Sequence, residues 1–292
     1  MDKNYLYLSL YCILKFCVNF FPDFILNFIA KTIARITFWC NKKHRKIIDT
    51  NLQFCFPEKN KKQRDEIALK IYQNFADFGI DFIKNQNISK EEVLKKVIFE
   101  NEDFLKQSLE SKKPIILITA HYGNWELSSL AYAAKFGAIS IVGRALDSKI
   151  MDKILSKNRT QFNIELINKF GGLKKMFSCL KNKRTLGILT DQDATDNESM
   201  VLNFFGHKVN FIVGASVLAK KTNALIIPSF IYKNENKGYN IKCFKPMDAN
   251  NHSIEELTLY QAKCCEEMIK FKPDEYFFFH KRFKRFHSQA YD

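Results

Sequence analysis

Two short stretches of this chain hold residue types that can do acid–base chemistry. The first is His121-Tyr122-Gly123-Asn124-Trp125-Glu126. A neutral imidazole titrates near neutral pH and can take a proton from a hydroxyl. A carboxylate on its other nitrogen would fix the tautomer and stabilise the imidazolium as it forms. The second stretch is Asp191-Gln192-Asp193. Two nearby carboxylates can orient an arginine or hold Mg²⁺. Arg144 and Arg159 are the cations at hand for a phosphate or an oxyanion. A His-x4-Glu spacing arises often by chance. Its plain alternative is a loop histidine satisfied by backbone, with Glu126 favourably set near a helix N-terminus.

The surrounding elements decide whether these residues can meet. Ile115 to Thr119 is a short apolar run rich in β-branched residues, which suits a strand buried on both faces. Leu127 to Lys135 reads as a helix that Gly137 stops, with Asn124 as N-cap. Ile139 to Val142 reads as a strand ending at Gly143-Arg144, and Lys149 to Phe162 as a helix carrying Arg159. Leu173, Met176, Phe177 and Leu180 mark a further helix, and Thr185 to Thr190 a strand ending at Asp191. Helix is expected at Ile212 to Lys221, strand at Ala224 to Tyr232 and at Tyr239 to Phe244. Pro228 demotes the first of those two strands to an edge or a bulge. Ser253-Ile254-Glu255-Glu256 is a capping box opening a helix toward Phe271. Such alternation predicts an α/β fold with a mostly parallel central sheet flanked by helices. His121, Arg144 and Asp191 then all follow strands, where ligands gather in open α/β sheets.

Composition narrows the partners. The 292 residues suffice for one large domain, and 46 Lys+Arg against 31 Asp+Glu leave a net charge of +15. That excess favours acidic partners: nucleic acid, anionic lipid or an acidic protein. The 28 Phe favour lipid. The eight cysteines include no C-x-x-C and read as reduced small hydrophobes in a cytosol-facing protein. The histidines show no metal-binding spacing, so neither a metal nor another cofactor is expected.

Tyr5 to Phe21 and Phe24 to Cys40 are apolar, broken by Lys15, Lys31 and Arg35, and a basic run, Asn41 to Lys46, follows. An apolar segment leading into basic residues reads as a membrane anchor with its flank on anionic lipid at the cytoplasmic side. We therefore divide the chain into an anchor with its basic flank, 1–46, and a catalytic domain, 47–292. Arg64 to Asn85 reads as an amphipathic helix with Ile71, Phe75, Phe78 and Phe82 on one stripe, most of it core and the remainder lining a groove or touching lipid. Tyr276 to Phe286 interleaves aromatic rings with Lys281, Arg282, Lys284 and Arg285. That pattern suits single-stranded nucleic acid, or a membrane surface, which the apolar N-terminus favours, or a core segment with a solvated basic tail.

The box His121 to Glu126 resembles the H-x4-D/E box of the lysophospholipid acyltransferase superfamily, and most of all its HtrB-like branch of lipid A lauroyl/myristoyl acyltransferases. Four further stretches resemble that branch in the same order. They are Leu52 to Glu58, ending Phe56-Pro57-Glu58; Val142-Gly143-Arg144 followed by Arg159; Asp191-Gln192-Asp193 followed by Phe204-Phe205-Gly206 and Gly214-Ala215-Ser216; and His280-Lys281-Arg282-Phe283-Lys284. The resemblance implies a glycerol-phosphate-acyltransferase-like fold and no metal. It implies transfer of an acyl chain, lauroyl for this branch, from acyl-acyl carrier protein to a hydroxyl of a hydroxyacyl chain on a lipid A precursor such as Kdo2-lipid IVA. The site would be the bacterial inner membrane, with the catalytic domain in the cytoplasm. In that scheme His121 is the base and Glu126 its orienting partner. Arg144 and Arg159 bind substrate or oxyanion, and Asp191 and Asp193 orient an arginine. Acyl carrier protein, the lipid A precursor and membrane lipids are the partners, and nucleic acid is not. The alternatives are another glycolipid or glycerolipid acyltransferase, phosphatidylinositol mannoside included, or a non-catalytic basic protein of membrane surfaces or nucleic acid.

Overall fold

In this computed structural model the described residues are 3–236 and 238–292. Two helices come first, α1 (Lys3–Phe20) and α2 (Asp23–Cys40). Pro22 divides them: it has no N–H to extend α1, and its φ of −67° suits the N-cap of α2. Then come α3 (Lys42–Cys55), α4 (Lys61–Lys84) and α5 (Lys90–Lys96), before β1 (Val97–Glu100) and α6 (Asp103–Glu110). The alternating part follows as β2 (Ile115–Thr119), α7 (Trp125–Phe136), β3 (Ile139–Gly143), α8 (Lys149–Arg159), β4 (Ile164–Asn168), α9 (Leu173–Lys181) and β5 (Thr185–Leu189). A hairpin of β6 (Ser199–Phe204) and β7 (His207–Ile212) leads into α10 (Gly214–Thr222). The chain closes with β8 (Leu225–Lys233), β9 (Tyr239–Cys243), β10 (Met247–Asp248) and α11 (Ile254–Phe271), opened by the expected capping box at Ser253 and Glu256.

The main sheet runs β1-β9-β8-β2-β5-β3-β4, with β10 also on β8. β8 pairs antiparallel with β9 and β10; the other pairs are parallel. Strand alternation divides β2 between two cores. Ile116 and Ile118 face one with α3, α4, α10 and α11, while Ile115 and Leu117 face another with α5 and α7.

Five strands were not read from the sequence: β1, β4, the hairpin β6–β7 and the two-residue β10. β4 has only Ile164 and Ile167 buried, so its apolar run is too short to signal. The hairpin turn is Phe205-Gly206, both at positive φ (53° and 78°), the geometry that two-residue hairpin turns favour. Ile212, expected to begin a helix, ends β7.

Pro228 needs a correction. β8 is an interior strand, buried from Leu225 to Tyr232, not an edge. Phe244 N–H donates to the Pro228 carbonyl (2.9 Å), so the side of Pro228 that lacks an N–H faces the interval between β9 and β10. The proline falls where one partner strand has ended and the next has not begun, so no ladder bond is lost.

The N-terminal helices both pack on α4. Leu26, Ala30, Ala34 and Phe38 of α2 recur every four residues and are buried. Other apolar residues of the pair are exposed, among them Phe16, Phe20, Phe24, Phe28, Ile36 and Trp39. Among the described residues no helix is long and apolar enough to cross a membrane. Each of the two has 18 residues, about 27 Å at 1.5 Å per residue. The basic run from Lys42 to Lys46 forms the first turns of α3, whose Ile47, Ile48 and Leu52 are buried in the core.

Candidate active site

β2 ends at Thr119, and the chain turns sharply into α7. Tyr122 N–H donates to the Ala120 carbonyl (2.7 Å), and Gly123 takes φ +56°. A Cβ on Gly123 would stand 2.0 Å from the Ile231 carbonyl oxygen, so only glycine fits this corner. The Asn124 side chain accepts from Leu127 N–H (3.1 Å) and caps α7, as its position in the sequence suggests. A segment after α11 pins the corner from outside. Phe277 N–H donates to the His121 carbonyl and Gly123 N–H to the Glu275 carbonyl, both at 2.9 Å. Between them, Tyr122 and Tyr276 form an antiparallel bridge.

His121 points its imidazole toward the end of β5. Its Nδ1 lies 2.9 Å from Asp191 Oδ1. β2 and β5 are parallel neighbours with Thr119 opposite Leu189, and Thr190 N–H donates to the Thr119 carbonyl (3.1 Å). The residues just past the two strands therefore stand side by side. Asp191 is 1% exposed; burial works against its charge, but His121 outweighs that and the carboxyl is held down at about 2. An ionised Asp191 can only accept, so Nδ1 carries the proton and Nε2 is left as the base. Burial pulls the His121 pKa down, Asp191 pushes it up, and the net direction is upward. Rings of Trp125 (5.2 Å) and Phe277 (6.2 Å) wall the imidazole. Beyond Asp191 lies partly buried His280, which burial pushes down to about 4, leaving it neutral. One ionised carboxylate thus faces the imidazole here, and the second histidine adds no charge.

Here the expected pairing changes. Glu126 does not bond His121. It takes Arg159 in a two-pronged pair, Arg159 Nε donating to Oε2 (2.8 Å) and Nη2 to Oε1. Glu126 is 7% exposed, and a planar guanidinium satisfies both of its oxygens at once. Its charge still acts on His121 and raises the imidazole pKa. Asp191 orients the histidine and not an arginine. Asp193 stands apart, 3.9 Å from Arg285. Arg144 is exposed and pairs with Asp147 (2.7 Å), so the structure does not bring it to His121. Among the described residues no three His, Cys, Asp or Glu side chains gather where an ion could sit.

A cavity of about 680 Å³, partly open to solvent, starts at the same corner. Thr119, Trp125, Glu126 and Arg159 stand at its polar part, and Leu117, Tyr132, Ile139, Ile141 and Ile188 line the apolar remainder. It lies between the sheet and α7.

A sequence model of bacterial lipid A biosynthesis acyltransferases matches residues 2–285. The chain belongs to this family. It is 24% identical over 260 residues to the lipid A biosynthesis lauroyltransferase of Escherichia coli (strain K12), covering 83% of this chain and 80% of that one. With the lipid A biosynthesis palmitoleoyltransferase of the same strain it shares 22% over 268 residues, 90% and 86% of the two chains. Among solved structures, the 1-acyl-sn-glycerophosphate acyltransferase of Thermotoga maritima aligns over 85% of this chain and 95% of its own, with TM-score 0.43 and 13% identity. The protein is an acyltransferase of lipid A, and hence lipopolysaccharide, biosynthesis, and a lipid A precursor is its substrate.

Two further features of this lipid A acyltransferase decide between alternatives that its sequence left open. Phe75 and Phe78 of α4 are not core: Phe78 stacks near Trp125 (4.5 Å) and Phe75 near Phe277 (5.6 Å), forming an aromatic groove beside His121. The helical spacing signalled the stripe but not what it faces. The segment from Tyr276 is not a membrane-facing ribbon throughout. Tyr276, Phe278, Arg282 and Phe283 are buried. Arg282 lies between the rings of Phe204 (5.3 Å) and Phe211 (5.4 Å) and donates to the Asn210 carbonyl (2.9 Å). Leaving a buried cation uncompensated costs several kcal/mol, and ring faces recover about 2 kcal/mol.

Proposed function

We propose that this enzyme moves a lauroyl chain from acyl-acyl carrier protein to a hydroxyl of a hydroxyacyl chain on Kdo2-lipid IVA. One observation carries the mechanism: an imidazole whose Nδ1–H is held by an ionised, buried carboxylate, against the ring of Trp125, which lines an apolar cavity. His121 Nε2 takes the acceptor hydroxyl proton as its oxygen attacks the thioester carbonyl carbon. The new C–O bond forms, and the tetrahedral oxyanion collapses with loss of the C–S bond. The imidazolium returns its proton to the leaving thiolate. Base assistance of this kind contributes roughly 10²–10⁴-fold. Of the first N–H groups of α7, those of Leu127 and Ser128 bond the Asn124 side chain and carbonyl, which leaves those of Trp125 and Glu126 for the oxyanion. Arg159 and Glu126 form the polar rim of the cavity that takes the acyl chain. Arg144, away from His121, suits a phosphate of the acceptor at the outer rim.

The donor reading is supported by Lys149, Lys153 and Lys157, which recur every four residues on the exposed face of α8. A basic face would speed encounter with an acidic carrier protein. The location is proposed as the cytoplasmic face of the inner membrane, with residues 1–46 as the anchor. Exposed Phe16, Phe20, Phe24, Phe28 and Trp39 alongside Lys15, Lys31 and Arg35 support a pair of helices lying in the interface.

The deciding experiment is acyl transfer from acyl-acyl carrier protein to purified Kdo2-lipid IVA, normalised to folded protein. His121→Ala is expected to abolish transfer with the fold intact, and near-normal transfer would sink the mechanism. A chain beginning near Asn41 should bind vesicles less, with residual binding that weakens as salt rises.

A further inference from the structure

The segment after α11 runs from Phe277 to His287 without helix or strand, so tertiary bonds must set its course. One end of it holds the catalytic corner, through Phe277 N–H on the His121 carbonyl. Just past that bond the backbone is held by a side chain of α3. Asn51 is 0% exposed, and its Nδ2 donates to the carbonyls of Phe278 (2.9 Å) and His280 (2.8 Å). Its Oδ1 accepts from the Tyr291 hydroxyl. An amide has two N–H donors, and both are spent on this segment. The two carbonyls flank Phe279, so the amide closes a backbone loop as a helix cap closes a turn. The neighbouring residue toward the N-terminus, Phe277, makes the bond to His121.

We propose that Asn51 is a positioning residue for the base: it fixes the Phe277–His280 strap, and the strap fixes the backbone of His121 opposite Asp191. The proposal rests on the reading of His121 as the base. It explains why a residue 70 positions before His121, on an element that does not touch the cavity, is fully buried and fully bonded. An apolar residue would fill the volume but leave the Phe278 carbonyl without its donor and the His280 carbonyl with Arg282 N–H alone (3.0 Å). Loss of such a donor costs about 1–3 kcal/mol and frees the segment it held. A base displaced by as little as 1 Å loses rate by up to about 10²-fold.

The test compares full-length Asn51→Ala, Asn51→Ser, Thr50→Ala and His121→Ala in the transfer assay. Thr50 is the control, since its hydroxyl also ties α3 to the C-terminal segment, at the Ala290 carbonyl (3.3 Å), but not to the strap. Asn51→Ala should lower kcat roughly 10- to 100-fold with KM within about twofold, and should move the acidic limb of the kcat profile. Asn51→Ser keeps one donor and should fall between. Thr50→Ala should lower Tm and leave kcat per folded molecule unchanged. A purely structural Asn51 would behave like Thr50, and that outcome overturns the proposal while leaving the base assignment standing. Activity in folded His121→Ala would instead overturn the base assignment. Should the Asn51 variants fail to fold, hydrogen exchange on the wild-type chain decides. Phe277 and Gly123 amides opening together with the amides of α3 support the strap; opening independently and earlier overturns it.

Discussion

The ends of β2 and β3 look alike in the sequence and behave differently in the fold. Each is an apolar strand followed closely by a polar residue, His121 after Ala120 in one case and Arg144 directly in the other. At the first, the neighbouring strand β5 supplies Asp191, α7 and α8 supply Glu126 and Arg159, and the C-terminal strap closes the outside. At the second, β4 is the outermost strand, and Arg144 leaves for solvent, where it pairs with the loop residue Asp147. A strand end thus offers a position, and burial by later parts of the chain turns it into a site. The difference is electrostatic as well. A pair taken out of water interacts strongly, while an exposed pair is worth about 0–1 kcal/mol.

Substitutions can break this contrast at graded strength. The largest effect is expected at Asp191. Asp191→Asn keeps the shape but allows the wrong tautomer of His121, and transfer should drop roughly 10²–10⁴-fold with little change in KM. A drop no larger than for an exposed carboxylate such as Asp147 would erase the distinction between the two strand ends. Next comes Arg159→Lys, which retains a cation but loses the fork that satisfies both oxygens of Glu126. An activity loss of about tenfold is expected, with Glu126→Gln similar and the double variant little worse than either, because the two act as a unit. Additive losses in that cycle would mean that the pair is not one device.

A smaller and more specific effect concerns pH. The base works only when unprotonated, so kcat should rise with pH through the His121 pKa, which stands above its ordinary 6.5. In the Asp191→Asn variant the larger raising charge is gone, while burial and the weaker pull of Glu126 remain, so the residual activity should begin its rise at lower pH. A limb that stays in place would show that Asp191 does not set the proton affinity of His121. The smallest effect is expected at Arg144. Arg144→Ala should leave kcat unchanged and raise KM for the acceptor a fewfold, a shift that salt reproduces in the wild type. A large fall in kcat would move Arg144 into the reacting centre, against its exposed position.

Much of this was legible in the chain itself. Period and punctuation located β2, the cap at Asn124, α7, α9, β5 and the capping box of α11 to within a few residues, because these depend on neighbours in sequence. The choice of His121 followed from its place after a buried strand. The ordered motifs, read as a resemblance, pointed to the family that the comparison then established. Pairing was another matter. Asp191 lies 70 residues from His121, and Arg159 lies 33 from Glu126. Nothing in the local pattern tells which strand lies beside which in a parallel sheet, since crossover helices separate them. Hence Glu126 and Asp191 exchanged their expected partners. Pro228 fits an interior strand only because two other strands end around it, and Arg282 is buried only because Phe204 and Phe211 of the hairpin close over it. Sequence determined which residues stand at strand ends with chemistry to offer. Tertiary structure decided which of them meet, because a charge in water and the same charge beside a buried partner are different reagents.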